Sequence, residues 1–356
     1  MTDIFAKIDS GAELTRQDLV EMLSLPDGGQ SQALFDRAYK TKLDYIGPKV
    51  FFRGLIEFSN ICEKNCYYCG IRRDNKETAR YVMTDGEIIR AALWANECKY
   101  GSIVLQSGER SDKNFIDGVE RLVKDIKKGS KGVLGITLCV GEQTEETYRR
   151  WFDAGAHRYL LRIETSNPEL YKKLHPADHF FEKRLECLRM LKKIGYQVGT
   201  GVMIGLPHQT VDDLAGDILF FRDMDIDMIG MGPYIVHEQT PLAAEFPDFT
   251  QAKEAQLNLG LKMIAATRIL LKDVNIAATT ALQALRDDGR ELGLKAGANV
   301  IMPNITDVKY RDSYQLYQGK PCLNDSRECC KGCLQRRIES IGETIAFNEW
   351  GDPLHF

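Results

Sequence analysis

The sequence predicts an α/β protein built on a closed (β/α)8 barrel of the TIM type. Two observations carry that expectation. From position 49 onward, apolar strand-like runs alternate with helical stretches eight times over about 250 residues, the length of such a barrel. No Gly-x-Gly-x-x-Gly turn follows the first strand, which places a doubly wound open sheet second.

Taken in order, residues 1–47 read as helical. Thr15-x-x-Asp18 is a capping pattern, followed by Leu19, Met22 and Leu23 at helical spacing. Pro26-Asp-Gly-Gly29 interrupts it, and a helical period resumes over 33–39 and runs up to Gly47-Pro48. This extension is expected to plug or cap the barrel. Strands are expected near 50–58, 102–107, 133–140, 157–164, 197–204, 227–235, 275–280 and 298–303, as the continuous apolar runs of buried parallel strands. Thr84-x-x-Glu87, Ser166-x-x-Glu169 and Thr210-x-x-Asp213 open helices between them. Gly101 and Gly195 fall where helices should stop. The division is therefore a helical cap at 1–47, a barrel at 48–304, and a polar, turn-rich tail at 305–356 that carries four more cysteines.

A chain of 356 residues, 44% hydrophobic and 28% charged, has the make-up of an ordinary globular protein with room for a large core. Its net charge of −4, with no basic block, argues against nucleic acid as a partner. The start lacks the apolar core of a signal peptide, and no apolar run approaches the roughly 18–20 residues of a membrane span. No membrane partner is expected, and the default location is the cytoplasm. Ten cysteines without a secretory signal point to metal ligation in a reducing compartment.

The chemistry centres on Cys62-Glu-Lys-Asn-Cys66-Tyr-Tyr-Cys69, three thiols within one loop directly after the first strand. Soft thiolates at such spacing suit an iron–sulfur cluster or zinc. A four-iron cluster held by three cysteines keeps one iron open to a small molecule. A structural zinc site, usually closed by a fourth ligand, is the alternative. In a parallel barrel, function sits at the carboxyl ends of the strands, and the loop occupies that position after strand one. Arg162 and Glu164 lie two apart in an expected strand, so both point to one side. Burying such a pair needs partners, which a polar ligand or a structural ion pair would supply. By the same period of two, Arg53 shares a face with Leu55 and Glu57. Polar groups inside a barrel normally filled by Val, Ile and Leu suggest an internal cavity. Cys322-x7-Cys330-x2-Cys333, with Cys329 beside it, reads as a second metal site, whereas Cys98, Cys139 and Cys187 read as small buried hydrophobes.

The spacing C-x3-C-x2-C, with the aromatic Tyr68 before its last cysteine, resembles the radical S-adenosylmethionine (SAM) signature. Over nearly the whole chain, the sequence is similar to the biotin-synthase-like radical SAM family. Within it, the stretches Glu57–Asn60, Cys69–Asn75, Val104–Glu109, Arg158–Arg162, Gly205–Pro207 and Ala298–Asn304 look most like the HydE-type maturases of [FeFe]-hydrogenase. That resemblance implies a full radical SAM barrel. Cys62, Cys66 and Cys69 would hold a [4Fe-4S] cluster, with Tyr68, Gln106, Ser107, Gly108, Thr137, Arg162, Glu164 and Arg184 around SAM. It implies a substrate cavity lined by Arg53, Thr279, Thr280, Met302 and Tyr314. Cys322, Cys330 and Cys333 would form an optional auxiliary [2Fe-2S] or [4Fe-4S] site. The implied activity is reductive cleavage of SAM to a 5′-deoxyadenosyl radical that acts on a small cysteine-bearing iron carbonyl–cyanide precursor. Ferredoxin or flavodoxin would supply the electron, and a sister radical SAM maturase and a GTPase scaffold are the implied protein partners. A methylornithine-synthase-like rearrangement enzyme is the nearest alternative, and a non-catalytic cluster or zinc protein is the alternative from another class. Biotin synthase fits less well, because ligands for its second cluster inside the barrel are not found.

Overall fold

A computed structural model describes residues 4–249, 252–324 and 326–356, except for the side chains of 328–331. Its strands in chain order are β1 (Lys49–Ser59), β2 (Ser102–Ser107), β3 (Gly135–Cys139), β4 (Arg158–Leu160), β5 (Gln197–Thr200), β6 (Met203–Ile204), β7 (Met228–Ile229), β8 (Gly232–Pro233), β9 (Asn275–Ile276), β10 (Val300–Ile301) and β11 (Thr344–Ile345). Eight of them pair in parallel in the order β10-β1-β2-β3-β4-β5-β7-β9, with β11 added along the start of β1. Together they form an open, strongly curled sheet, not the continuously closed barrel that was expected. Its two end strands meet at one parallel bridge, Ala277 with Val300, where the Ala278 N–H donates to Val300 O at 2.9 Å.

The expected fifth and sixth strands each break in two. β6 and β8 pair with each other as a separate ribbon beyond the main sheet. The break follows from close backbone approach: a Cβ on Gly201 would overlap the Gly230 carbonyl. The expected fourth strand stops at Leu160, two residues short of Arg162.

Capping signals place the helices. Thr15, Thr84 and Thr210 each form the reciprocal box with Asp18, Glu87 and Asp213. Gly195 ends the helix Phe181–Ile194 in the left-handed region, at φ +105°. Two expectations need correction. Asn167, not Ser166, caps the helix Pro168–Leu174, accepting from the Glu169 and Leu170 N–H groups. Gly101 does not stop a helix; it lies against the tail, where a Cβ would overlap the Glu349 carbonyl.

The floor of the curled sheet is covered from the other end of the chain. The helices Ile4–Asp9, Arg16–Ser24 and Gly29–Tyr45 do not plug the sheet. The second and third lie against the outer helices Val211–Asp223 and Lys253–Leu271. Residues 344–352 cover the amino ends of the strands instead. Asn275 Nδ2 donates to Gly351 O at 2.8 Å, and the buried Arg158 donates to Trp350 O at 2.8 Å and pairs with Asp352. Lys42 and Glu343, both fully buried and 2.6 Å apart, fasten the third N-terminal helix to that tail.

Candidate active site

The carboxyl ends of the strands surround one cavity of about 460 Å3. Cys62, Cys66 and Cys69 stand on its wall, in the loop that leaves β1. Burial pushes the Cys66 thiol up to about 12 and raises Cys62 and Cys69 as well, so their ionisation calls for a nearby cation. Among the described residues, no three His, Cys, Asp or Glu side chains gather as ligands of a single ion. A multi-iron cluster takes each thiolate on a different iron, and the donor set fits that group.

The loop is held from three sides. Gly108, just past β2, passes so close to it that a Cβ would overlap the Ile61 carbonyl and lie 2.7 Å from Cys62 Cβ. The Glu109 N–H points at Cys62 Sγ at 3.4 Å. Lys64, inside the loop, lies 3.2 Å from Glu109 Oε1 and 2.9 Å from Glu142 Oε2. From the far side, His179 Nε2 accepts the Asn65 N–H at 3.0 Å. Burial pushes His175 down to about 3, so its ring is neutral. Its Nδ1 therefore donates to Tyr171 O at 2.8 Å, and its Nε2 accepts from the Tyr68 hydroxyl at 3.3 Å. No histidine pair was expected, although His175 and His179 stand at His-x3-His spacing. Their spacing of four residues, with the ring centroids 6.0 Å apart, was the available signal.

Arg162 and Glu164 face each other across the cavity wall, Nη2 to Oε2 at 2.9 Å. They do so without a strand: Glu164 sits at φ +67°, a conformation a glutamate adopts only under constraint, and bridges to Val202. Arg184, from the helix Phe181–Ile194, donates to Arg162 O and to Glu142 Oε1, each at 2.6 Å. Gln106 reaches the wall from β2 and donates to the Tyr314 hydroxyl at 3.3 Å, and Ser107 donates to Gly108 O at 2.7 Å.

The deeper expectations divide. Thr279, Thr280, Met302 and Tyr314 line the cavity. Arg53 does not. It is fully buried at the barrel floor, where it donates to Met228 Sδ and to Gly351 O at 3.2 Å. Thr137 is also missing from the wall; it lies buried below with its hydroxyl unpartnered, while Cys139, two residues further along β3, reaches the cavity. Cys139 is therefore not a plain core thiol, whereas Cys187 is buried as expected. Glu57 and Lys320, unremarked in the sequence as partners, form a buried ion pair on the cavity wall, with Asn304 donating to Glu57 Oε2 at 2.9 Å. Cys322 and Cys333 also reach this cavity; the Cys330 side chain falls outside the described residues.

A curled parallel sheet with a three-cysteine loop after its first strand, opening on a charged internal cavity, defines a radical SAM protein. The family model described as "Radical SAM superfamily" matches residues 56–221. The [FeFe] hydrogenase maturase subunit HydE of Thermotoga maritima is 49% identical over 340 residues, 95% of this chain and 94% of that one. The chain belongs to the HydE family of radical SAM enzymes. Among solved structures, methylornithine synthase (PylB) superposes with a TM-score of 0.81 at 25% identity, covering 97% of this chain and 98% of that one. The maturase HydG of Carboxydothermus hydrogenoformans shares the fold, with a TM-score of 0.79 at 22% identity over 97% of this chain and 78% of that one. The superfamily implies a [4Fe-4S] cluster and SAM as cofactors. No described helix is long and apolar enough to cross a membrane.

Proposed function

We propose that this chain is a radical SAM maturase of [FeFe]-hydrogenase, acting on a small cysteine-bearing iron carbonyl–cyanide precursor. The observation that carries the reading is the 49% identity over 95% of the chain, joined to a three-cysteine loop that opens into an internal cavity. When bound, the cluster and SAM supply a 5′-deoxyadenosyl radical. The protein's own groups do the rest. Cys62, Cys66 and Cys69 would hold the cluster through their three thiolates, leaving it open to SAM. Gln106, Ser107, Gly108, Arg162, Glu164 and Arg184 orient SAM, and Tyr68 supports the loop through His175. Thr279, Thr280, Met302 and Tyr314 shape the substrate chamber. Closure of the curled sheet at Ala277 and Val300, with the tail across its floor, keeps water from the reacting centre.

Residues 1–47 serve as an outer helical brace, 48–304 as the curled catalytic sheet with its helices, and 305–356 as both roof and floor. Cys322, Cys330 and Cys333 form an optional auxiliary cluster site. Ferredoxin or flavodoxin supplies the electron in the cytoplasm, and a sister radical SAM maturase and a GTPase scaffold stand on either side of the step. The test is anaerobic reconstitution followed by reduction with SAM present. 5′-Deoxyadenosine is expected from the wild type and not from Cys66→Ala; its absence from the wild type refutes the enzyme reading.

A further inference from the structure

The cavity carries a further buried cation besides those around the three-cysteine loop. Arg290, in the helix Gly289–Lys295, is 4% exposed and lines the same cavity as Cys62 and Arg162. The other cations on the cavity wall have carboxylates: Lys64 and Arg184 share Glu142, Arg162 has Glu164, Lys320 has Glu57 and Arg337 has Glu291. Arg290 has none within ion-pair distance among the described residues. Its Nε donates to Gln283 Oε1 at 2.6 Å, its Nη2 donates to the same oxygen and points at Cys322 Sγ at 3.9 Å, and among the described residues its Nη1 makes no hydrogen bond. A desolvated guanidinium without a carboxylate partner is costly, and an anion entering the cavity would offset that cost.

The neighbouring wall is rich in neutral hydrogen-bonding groups. Gln283, which fixes Arg290, lies one turn from Thr280, whose hydroxyl is 2.7 Å from that of Tyr317. Thr279 Oγ1 is buried without a partner on the same cavity wall. One planar guanidinium with hydroxyls nearby suits a singly charged planar anion; a phosphate would call for more cations. The geometry points to Arg290 as the anchor of a carboxylate subsite, which takes the carboxylate of an amino-acid-bearing substrate at the end of the cavity where Cys322 stands. This rests on the proposed cysteine-bearing substrate and adds how its amino acid portion is held.

The test uses full-length protein, reconstituted anaerobically and saturated with SAM. It is titrated calorimetrically with S-methyl-L-cysteine and with 2-(methylthio)ethylamine, which is the same molecule without the carboxylate. The wild type should bind the amino acid at least about tenfold tighter than the amine, the scale of a charged hydrogen bond. Arg290→Gln should erase that preference and leave amine binding unchanged; Arg290→Lys, which keeps the charge, should retain part of it and controls for folding. A preference that survives in Arg290→Gln, or that is missing in the wild type, overturns the assignment. 5′-Deoxyadenosine formation in the same samples scores the radical reading separately, so failure of one is readable without the other.

Discussion

Lys64 Nζ lies 2.9 Å from Glu142 Oε2, and through that contact the cysteine loop is tied to the end of β3. Glu142 in turn accepts from Arg184, so one carboxylate links the loop, the sheet and the helix Phe181–Ile194. Burial works against its charge, but Arg184 and Lys64 outweigh that and hold Glu142 down at about 2, whereas burial leaves the neighbouring Glu109 raised. Replacing Lys64 by Met removes the cation that both carboxylates share. The expected cost is about 3 kcal/mol, the size of breaking a buried pair. Urea denaturation of the metal-free protein measures it, and Lys64→Met combined with Glu109→Gln, which spares the Glu142–Arg184 pair, should recover part of the loss. A single variant as stable as the wild type would remove the tie from the account.

Gly108 sets how closely the loop can approach β2. An alanine there would press its methyl into the Ile61 carbonyl and against Cys62 Cβ at 2.7 Å. The backbone must give way, at about 1–3 kcal/mol, and Cys62 moves with it. Gly108→Ala should fold yet take up clearly less iron and sulfide on reconstitution, as read by metal content and visible absorbance. Full uptake would show that the loop has slack.

Much of this architecture was legible locally, and the exceptions share a cause. The strand-one loop, β1 to β5 and three of the capping boxes follow from spacing that short segments carry by themselves. Period two tells which face a residue takes but not its depth. Arg53 and Glu57 share a face of β1, yet Arg53 is in register with Ser102 at the start of β2 and Glu57 with Gln106 near its end. That difference puts one on the floor and the other in the cavity. Arg162 and Glu164 were paired correctly for the wrong reason, since a left-handed residue and not a pleat brings them together. Lys320 and Glu57, or the tail across the floor, join parts of the chain hundreds of residues apart, and no local pattern announces them.

The tail's grip on the floor can be tested at Gly101. A side chain there would overlap the Glu349 carbonyl and push residues 349–352 off the strand ends, freeing Arg158 from Trp350 and Asp352. Arg158 is fully buried, so it would lose partners it cannot replace without water entering. Gly101→Ala should lower stability by about 2–4 kcal/mol and make the last dozen or so residues susceptible to brief proteolysis. A variant with an intact, protected terminus would show that the floor does not depend on this contact.

Asp217 makes the segment after Glu164 sensitive to pH. It is buried in the helix Val211–Asp223, accepts the Ser166 N–H at 2.6 Å through one oxygen and leaves the other unpartnered. Burial lifts its carboxyl from the ordinary 3.8 to about 7. The folded chain therefore holds this proton more tightly than the unfolded one. Stability from this group is complete below about pH 4, falls as pH rises through the window up to 7, and is fully lost above it. Asp217→Asn keeps the acceptor for Ser166 and removes the titration. Its melting temperature should match the wild type near pH 4 and exceed it increasingly up to pH 7, by a free energy of at most about 4 kcal/mol, and then run parallel. Thermal denaturation of both proteins between pH 4 and 8 decides the matter, and a constant offset across that range would mean that Asp217 is ionised in the fold throughout.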